Sequence, residues 1–310
     1  MISQKIIENV YVVSGFTNIG IINAPSEDKN NIILIDSGIN QKAMQIVIEE
    51  LDRIFKNYNL TTVINTHGHA DHIGGNNFLQ KKYNTKVLIP QKEIGNAANR
   101  YASVNLIWGG SAIPELKHYY SLEETFTPNG FISTEDKISL SPTKNISFID
   151  LQGHSPEQLG IFYKDDDGKT VLFTADSYLG IDELKKIKIS YQEATLTALN
   201  TMKRLRKFNA DFFVQSHGII PETREDFLKT LDANIASIEN LIDFLKSKLA
   251  KENLTTEVLV AETLSKFEII SKPINFALIF ATVKSLLSEL YEYDEIGMEI
   301  SNNRLFWCKD

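Results

Sequence analysis

The stretch "TTVINTHGHADHIGG", residues 61–75, constrains this chain more than any other. It places three histidines and an aspartate between positions 67 and 72, in a chain with only 6 histidines. "TTVIN" has the β-branched content of a buried strand and runs straight into them. In an extended segment residues two apart share a face, so His67 and His69 point to one centre. Asp71 and His72 lie past the turn and point to a second centre beside it. Imidazoles and a carboxylate so placed suit a pair of metal ions. The plainer reading, a polar turn in which Asp71 caps the next helix, leaves the concentration of histidine unexplained.

The later ligand-type residues repeat one placement. His154 in "LQGHSPEQLG" sits just past an apolar run, Asp176 ends "VLFTAD", and His217 ends "FFVQSH" before a glycine. A turn-capping role fits any one of them alone. Three occurrences at strand ends, added to the first cluster, point to one shared site. His118 stands in an irregular stretch and is left as a surface or pocket-wall residue.

Around these positions the chain alternates strands and helices. "NVYVVSG", "NIGIIN" and "NIILIDSG" read as meandering strands, residues 41–58 as an amphipathic helix, and "KVLIP" as a further strand. Residues 91–135 have no clean period and read as a loop or partly helical insertion forming a pocket wall. Strand signals return in "ISLSP", "NISFIDLQG" and "LGIFYKDDDGKTVLFTAD", the last with a "DDDGK" hairpin turn. A helix at about 192–208 precedes "ADFFVQSHG". Beyond Pro221 the texture becomes helical: a long amphipathic helix at 224–252, two more helical segments, and a hairpin around Asn302 and Asn303. That order is winged-helix-like. The expected organisation is a catalytic domain at 1–222 and a small, mainly helical C-terminal module at 223–310.

Composition narrows the partners. A net charge of -8 argues against a surface built for nucleic acid or anionic membrane. Residues 223–310 carry 10 basic against 15 acidic side chains, the wrong sign for a module that grips phosphates. The module is therefore expected to pack, to act as a lid, or to form a homodimer. One cysteine, Cys308, precludes an intrachain disulfide, and the N-terminus lacks the pattern of a secretion signal. The apolar run "FALIFATV" is too short to span a bilayer. A cytoplasmic protein is expected.

These motifs carry a resemblance. Over residues 6–220 the chain resembles the metallo-β-lactamase superfamily of hydrolases, with "THGHADH" matching its main metal motif and "GHSP", "TAD" and "SHG" its later ones. The resemblance implies an α/β fold, a four-layer αβ/βα sandwich with metals at one edge. It puts His67, His69 and His154 on one ion and Asp71, His72 and His217 on the other, with Asp176 bridging. It also makes Asp36 of "ILIDSG" a support for the metal loop. The cofactors implied are two divalent ions, zinc (Zn2+) first, with iron or manganese also suited to imidazole and carboxylate ligands.

The ligand types select among branches. β-Lactamases with a cysteine ligand have it where this chain has Asp176, and His69 argues against flavodiiron proteins. The set is similar to thioester hydrolases of the glyoxalase II kind, lactonases and zinc-dependent ribonucleases. The expected function is hydrolysis of a small ester, thioester or lactone by a metal-bridging hydroxide. The alternatives are a ribonuclease or phosphodiesterase and a mononuclear-iron persulfide dioxygenase. Asp71, Asp176 and Tyr178 are the candidate catalytic residues, Asp71 for proton transfer and Tyr178 as oxyanion donor. Lys185, Lys186 and Lys188 are candidates for holding an anionic group, though a solvated lysine face is the simpler reading. Tyr101, Trp108, Tyr119 and Tyr120 are candidates for a pocket wall or for a small aromatic core.

Overall fold

The computed structural model describes residues 3–309 apart from 27 and 222. A meander opens the first sheet: β1 (Ser3–Ile7), β2 (Val10–Val13), β3 (Ile19–Pro25) and β4 (Asn30–Ile35) pair antiparallel in turn. Three parallel strands follow, β5 (Tyr58–Ile64), β6 (Lys86–Pro90) and β7 (Gly130–Ile132), giving a 7-stranded sheet in sequence order. The second sheet has 5 strands in the order β12-β11-β10-β9-β8. Its members are β8 (Lys137–Ser139), β9 (Asn145–Asp150), β10 (Leu159–Lys164), β11 (Thr170–Ala175) and β12 (Phe212–Gln215).

Strand period explains the layers. In β4, Ile33 and Ile35 point inward to the core between the sheets, while Ile32 and Leu34 point outward. There they meet Met44, Val47 and Leu51 of α1 (Gln41–Ile54) and Leu79 of α3 (Asn76–Tyr83). The second sheet repeats the pattern. Val171, Phe173 and Val214 face inward, whereas Leu172 and Phe213 face outward toward helices. Strands buried on both faces read as unbroken apolar runs, which is why "NIILI" shows no alternation. The result is the expected αβ/βα sandwich.

The outer helical layer of the second sheet is α8 (Thr195–Leu205) with the C-terminal helices α9 (Arg224–Leu249), α10 (Thr256–Lys266) and α11 (Pro273–Glu292). Met202 of α8, Phe213 of β12 and Phe227, Leu231 and Leu241 of α9 belong to one apolar cluster, which runs across the expected boundary at 222. Residue 222 itself lies outside the described residues. The helices end in the hairpin β13 (Gly297–Ser301) and β14 (Arg304–Cys308), whose Asn302 and Asn303 both have positive φ, as a two-residue turn requires. By length and hydropathy α11 has the makings of a membrane span, contrary to the expectation from "FALIFATV". In this fold its Ile279, Val283, Leu286, Leu287 and Leu290 are buried among α8, α9 and α10.

Residues 91–135 adopt the partly helical of the two expected alternatives. After a 3-10 turn at Gln91–Glu93 they form α4 (Ile94–Ala98), α5 (Ala102–Trp108) and α6 (Pro114–Tyr120), then enter β7. The remaining helices, α2 (Ala70–Ile73) and α7 (Ile181–Ile187), are short and flank the site.

Candidate metal centre and its cavity

All seven expected ligands gather at one edge of the sandwich: His67, His69, His154, Asp176 and His217 on loops that follow strands, and Asp71 and His72 in the short helix α2. His67, His69 and His154 form one group, Asp71, His72 and His217 a second, and His67, His72 and Asp176 a third; within each, the ligand atoms lie within 4.8 Å of one another. His67 Nε2 is 3.0 Å from His69 Nδ1, which is 2.8 Å from His154 Nε2. Asp176 touches both halves: its Oδ2 lies 3.4 Å from His154 and 3.2 Å from His217, its Oδ1 3.3 Å from His72. Asp71 Oδ2 is 3.3 Å from His217 Nε2. Asp71 sits inside α2 and does not cap a helix; the residue at the cap is His69.

The ring nitrogens that face away from the centre are held in place. His154 Nδ1 donates to the Tyr191 carbonyl at 3.0 Å and His217 Nδ1 to the Phe16 carbonyl at 2.6 Å. His72 Nδ1 lies 2.8 Å from Asp36 Oδ2. Asp36 also accepts from the Thr66 amide and hydroxyl at 2.8 and 2.9 Å, and Thr66 Oγ1 stands 3.0 Å from His67 Nδ1. One buried carboxylate therefore orients two ligands, the support expected of it. The loop can pass this close because of Gly74, where any Cβ would collide with the Ile39 carbonyl.

Electrostatics divide the centre. Burial pushes His67 well below its ordinary pKa, and His69 and His154 to about 4, so these imidazoles are neutral donors near pH 7. Burial acts downward on His217 and His72 too, but the carboxylates win. Asp176 and Asp71 hold His217 up at about 10, and Asp176, Asp36 and Asp71 raise His72. Reciprocally, burial opposes ionisation of Asp71 and Asp176, and the neighbouring imidazoliums more than offset it. His72 Nε2 and Asp176 Oδ1 are buried without a hydrogen-bond partner although they face each other. Converging imidazole nitrogens and orphaned polar atoms are what a cation would satisfy, so the donor set fits metal.

Above the ligands lies a cavity of about 450 Å³, with His69, Asp71, His154, Asp176 and His217 on its floor. Two tyrosines line it, Tyr120 at the end of α6 and Tyr191 beside His154. Burial raises the pKa of both phenols, and at Tyr120 the charges of Asp71 and Asp176 add to this, so both stay protonated.

Tyr178 is a correction. It does not line the cavity; it is buried in the helical core of the second sheet, its ring 5.6 Å from that of Phe227. The reason is the backbone between it and Asp176's strand. Ala175 takes a positive φ and Ser177 N bonds to Thr174 O, so the chain turns and the two-residue alternation fails. The lysines form the solvated face, the simpler reading of them, and they do not line the cavity. Lys185, Lys186 and Lys188 are exposed, and Lys186 pairs with Glu183 at 2.6 Å. Asp182 and Glu183 of the same segment line the cavity instead. Of the four aromatics at 101–120 only Tyr120 reaches it; Tyr101 packs in a small apolar cluster, and Trp108 and Tyr119 face solvent. His118 is a surface residue set edge-on against Tyr119.

Glu93 was not legible in the sequence. It is buried, and it accepts from Gly68 N at 3.1 Å, Ser155 Oγ at 2.8 Å and Glu157 N at 3.0 Å. It thus ties the insertion to two ligand loops at once. A lone glutamate in an aperiodic stretch gives no pattern to find it by.

Comparison with known proteins agrees with this geometry. Residues 13–217 match the family described as the Metallo-beta-lactamase superfamily. The chain belongs to this superfamily. It is a metal-dependent hydrolase, with candidate His/Asp ligand groups. "Probable metallo-hydrolase YflN" of Bacillus subtilis (strain 168) is 25% identical over 235 residues, 69% of this chain and 84% of that protein. "Hydroxyacylglutathione hydrolase GloC" of Haemophilus influenzae is 26% identical over 160 residues, 48% of this chain and 62% of that superfamily relative. A crystal structure of a beta-lactamase domain protein from Burkholderia ambifaria superposes with a TM-score of 0.77 at 16% identity, covering 99% of this chain and 94% of that one. The shared fold thus includes the C-terminal helices.

Proposed function

We propose that this chain hydrolyses a small ester, thioester or lactone at a pair of divalent ions. The observation that supports this best is Asp176, which contacts ligands of both halves of the site on the floor of a closed-in cavity. In this reading His67, His69 and His154 hold one ion, Asp71, His72 and His217 the other, and Asp176 both. Zinc is the first choice; imidazoles and carboxylates without thiolate suit iron or manganese as well. When bound, such ions supply Lewis acidity, which acidifies water toward neutral pH and polarises the substrate's oxygen. The protein's own groups do the rest. His217 and His72 carry protons in the metal-free site, so loading that half releases protons. Asp71 is placed to take up a proton during turnover. The Tyr120 hydroxyl, protonated and lining the cavity, donates a hydrogen bond to the oxygen on which charge develops, the role expected of Tyr178.

The ribonuclease alternative is disfavoured by the cavity, which has no lysine or arginine among its described lining residues, and by the acidic C-terminal region. The winged-helix-like order of that region then serves packing and pocket building, not nucleic acid. The deciding experiment is a side-by-side panel of thioesters, lactones, activated esters, RNA and bis-aryl phosphodiesters, with elemental analysis of the same preparation. Carbonyl turnover with close to two metal equivalents is expected. Phosphodiester cleavage abolished by His67→Ala, without carbonyl hydrolysis, would move the protein to the nuclease class, and one tightly held iron would favour the oxygenase.

A further inference from the structure

We infer that the cavity is a subsite for an uncharged, apolar acyl group, and that α11 of the C-terminal region supplies the wall that sets its depth. This deepens the hydrolase reading and rests on it. The apolar part of the lining brings together Ile107 and Tyr120 of the insertion with Leu278 of α11. These residues do not meet by accident. Ala277, Ile274 and Leu278 of α11 share one small apolar cluster with Val104, Ile107 and Leu116 of α5 and α6. Two stretches remote in sequence are thereby fused into a single cap, closed over the site by burial of their own apolar side chains.

Charge selects what enters. Besides the metal-ligand set, the charged side chains lining the cavity among the described residues are Asp182 and Glu183. Asp182 is fixed by accepting from Ile219 N at 2.9 Å. A substrate group held away from the floor therefore meets hydrocarbon, neutral polar groups such as Ser103 and Ser190, and carboxylates, and an anionic group there gains no cationic partner among the described lining residues. The mouth has the same character. Phe16 and Ile219 are 60% and 69% exposed and flank His217, with Ile187 across from them at 41%. Three large apolar side chains held in water around one opening mark an entry for apolar ligand. The cavity volume suits a medium-length acyl chain.

The test uses the full-length metal-loaded protein and acyl thioesters of N-acetylcysteamine, a neutral thiol, from acetyl to decanoyl. Succinyl and glutaryl thioesters of the same thiol, which carry a carboxylate at the far end of the acyl group, provide the anionic arm. The alkanoyl series should exceed this dicarboxylic series in kcat/KM by about tenfold or more at equal length, and rise with chain length. Leu278→Trp, which fills the wall, should lower the decanoyl-to-acetyl ratio of kcat/KM by about tenfold, and Leu278→Ala should raise it. A dicarboxylic series as good as the alkanoyl one, or a ratio unmoved by both variants, would overturn the subsite. Calorimetric binding of decanamide separates the two readings. Decanamide bound by the native protein and lost in Leu278→Trp, with no thioester turned over, keeps the subsite and removes the hydrolase. Absence of decanamide binding together with flat chain-length dependence removes the subsite and leaves the hydrolase standing.

Discussion

The ligand floor and the cavity wall of this site are built on opposite plans. Asp176 directly follows β11, His217 stands just past β12, and His67 and His154 lie on the short loops after β5 and β9. Two sheets fixed by ladder hydrogen bonds deliver these side chains, and buried acceptors such as Asp36 lock their rings. The wall has no such frame. Tyr120 ends a short helix, Leu278 lies within α11, and what joins them is the packing of a few apolar side chains. A floor set by strands tolerates little change, whereas a wall set by helix packing is free to vary with the substrate.

The sharpest way to break that contrast is at the floor. Asp176→Ala removes the group shared by both halves, so turnover should fall by about a thousandfold or more, roughly 4 kcal/mol of barrier, and metal content should drop toward one equivalent. Two tightly held ions in that variant would show that Asp176 does not bridge. At the wall, Tyr120→Phe should lower kcat by roughly ten- to a hundredfold, with metal content and KM little changed. A KM effect alone would make Tyr120 a shape element of the cap. The smallest effect is expected at Tyr178→Phe. Its hydroxyl is buried without a partner, so turnover should stay within about twofold and the unfolding midpoint should hold or rise slightly. A large loss of kcat there would return Tyr178 to the site.

This division also governs what could be read from the residues. His67, His69, Asp71 and His72 were legible because a buried strand delivers them and their spacing translates directly into direction. The sandwich layers were legible because runs such as "NIILI" fit strands buried on both faces. Tyr178 misled because spacing holds only while the backbone stays extended, and Ala175 leaves that region. The helix expected through residue 58 ends at Ile54, since Phe55 is already extended and Tyr58 pairs with Asn30 in the sheet. Ladder pairing overrode helical periodicity there. Tyr120 and Leu278 carry no local signal that they meet; their juxtaposition exists only after α11 docks on α5 and α6.

Glu93 limits how this fold can be modified by exchange of parts. An insertion between two strands ordinarily behaves as a cassette that can be shortened, lengthened or swapped at little cost. Here the cassette carries the acceptor for Gly68 N, Ser155 Oγ and Glu157 N, three donors that belong to the host. A transplanted insertion lacking a carboxylate at that point would strand all three donors beneath the ligand loops, where lost hydrogen bonds cost about 1–3 kcal/mol each. Recombination in this lineage is therefore expected to move residues 91–135 only as a unit that begins with its glutamate.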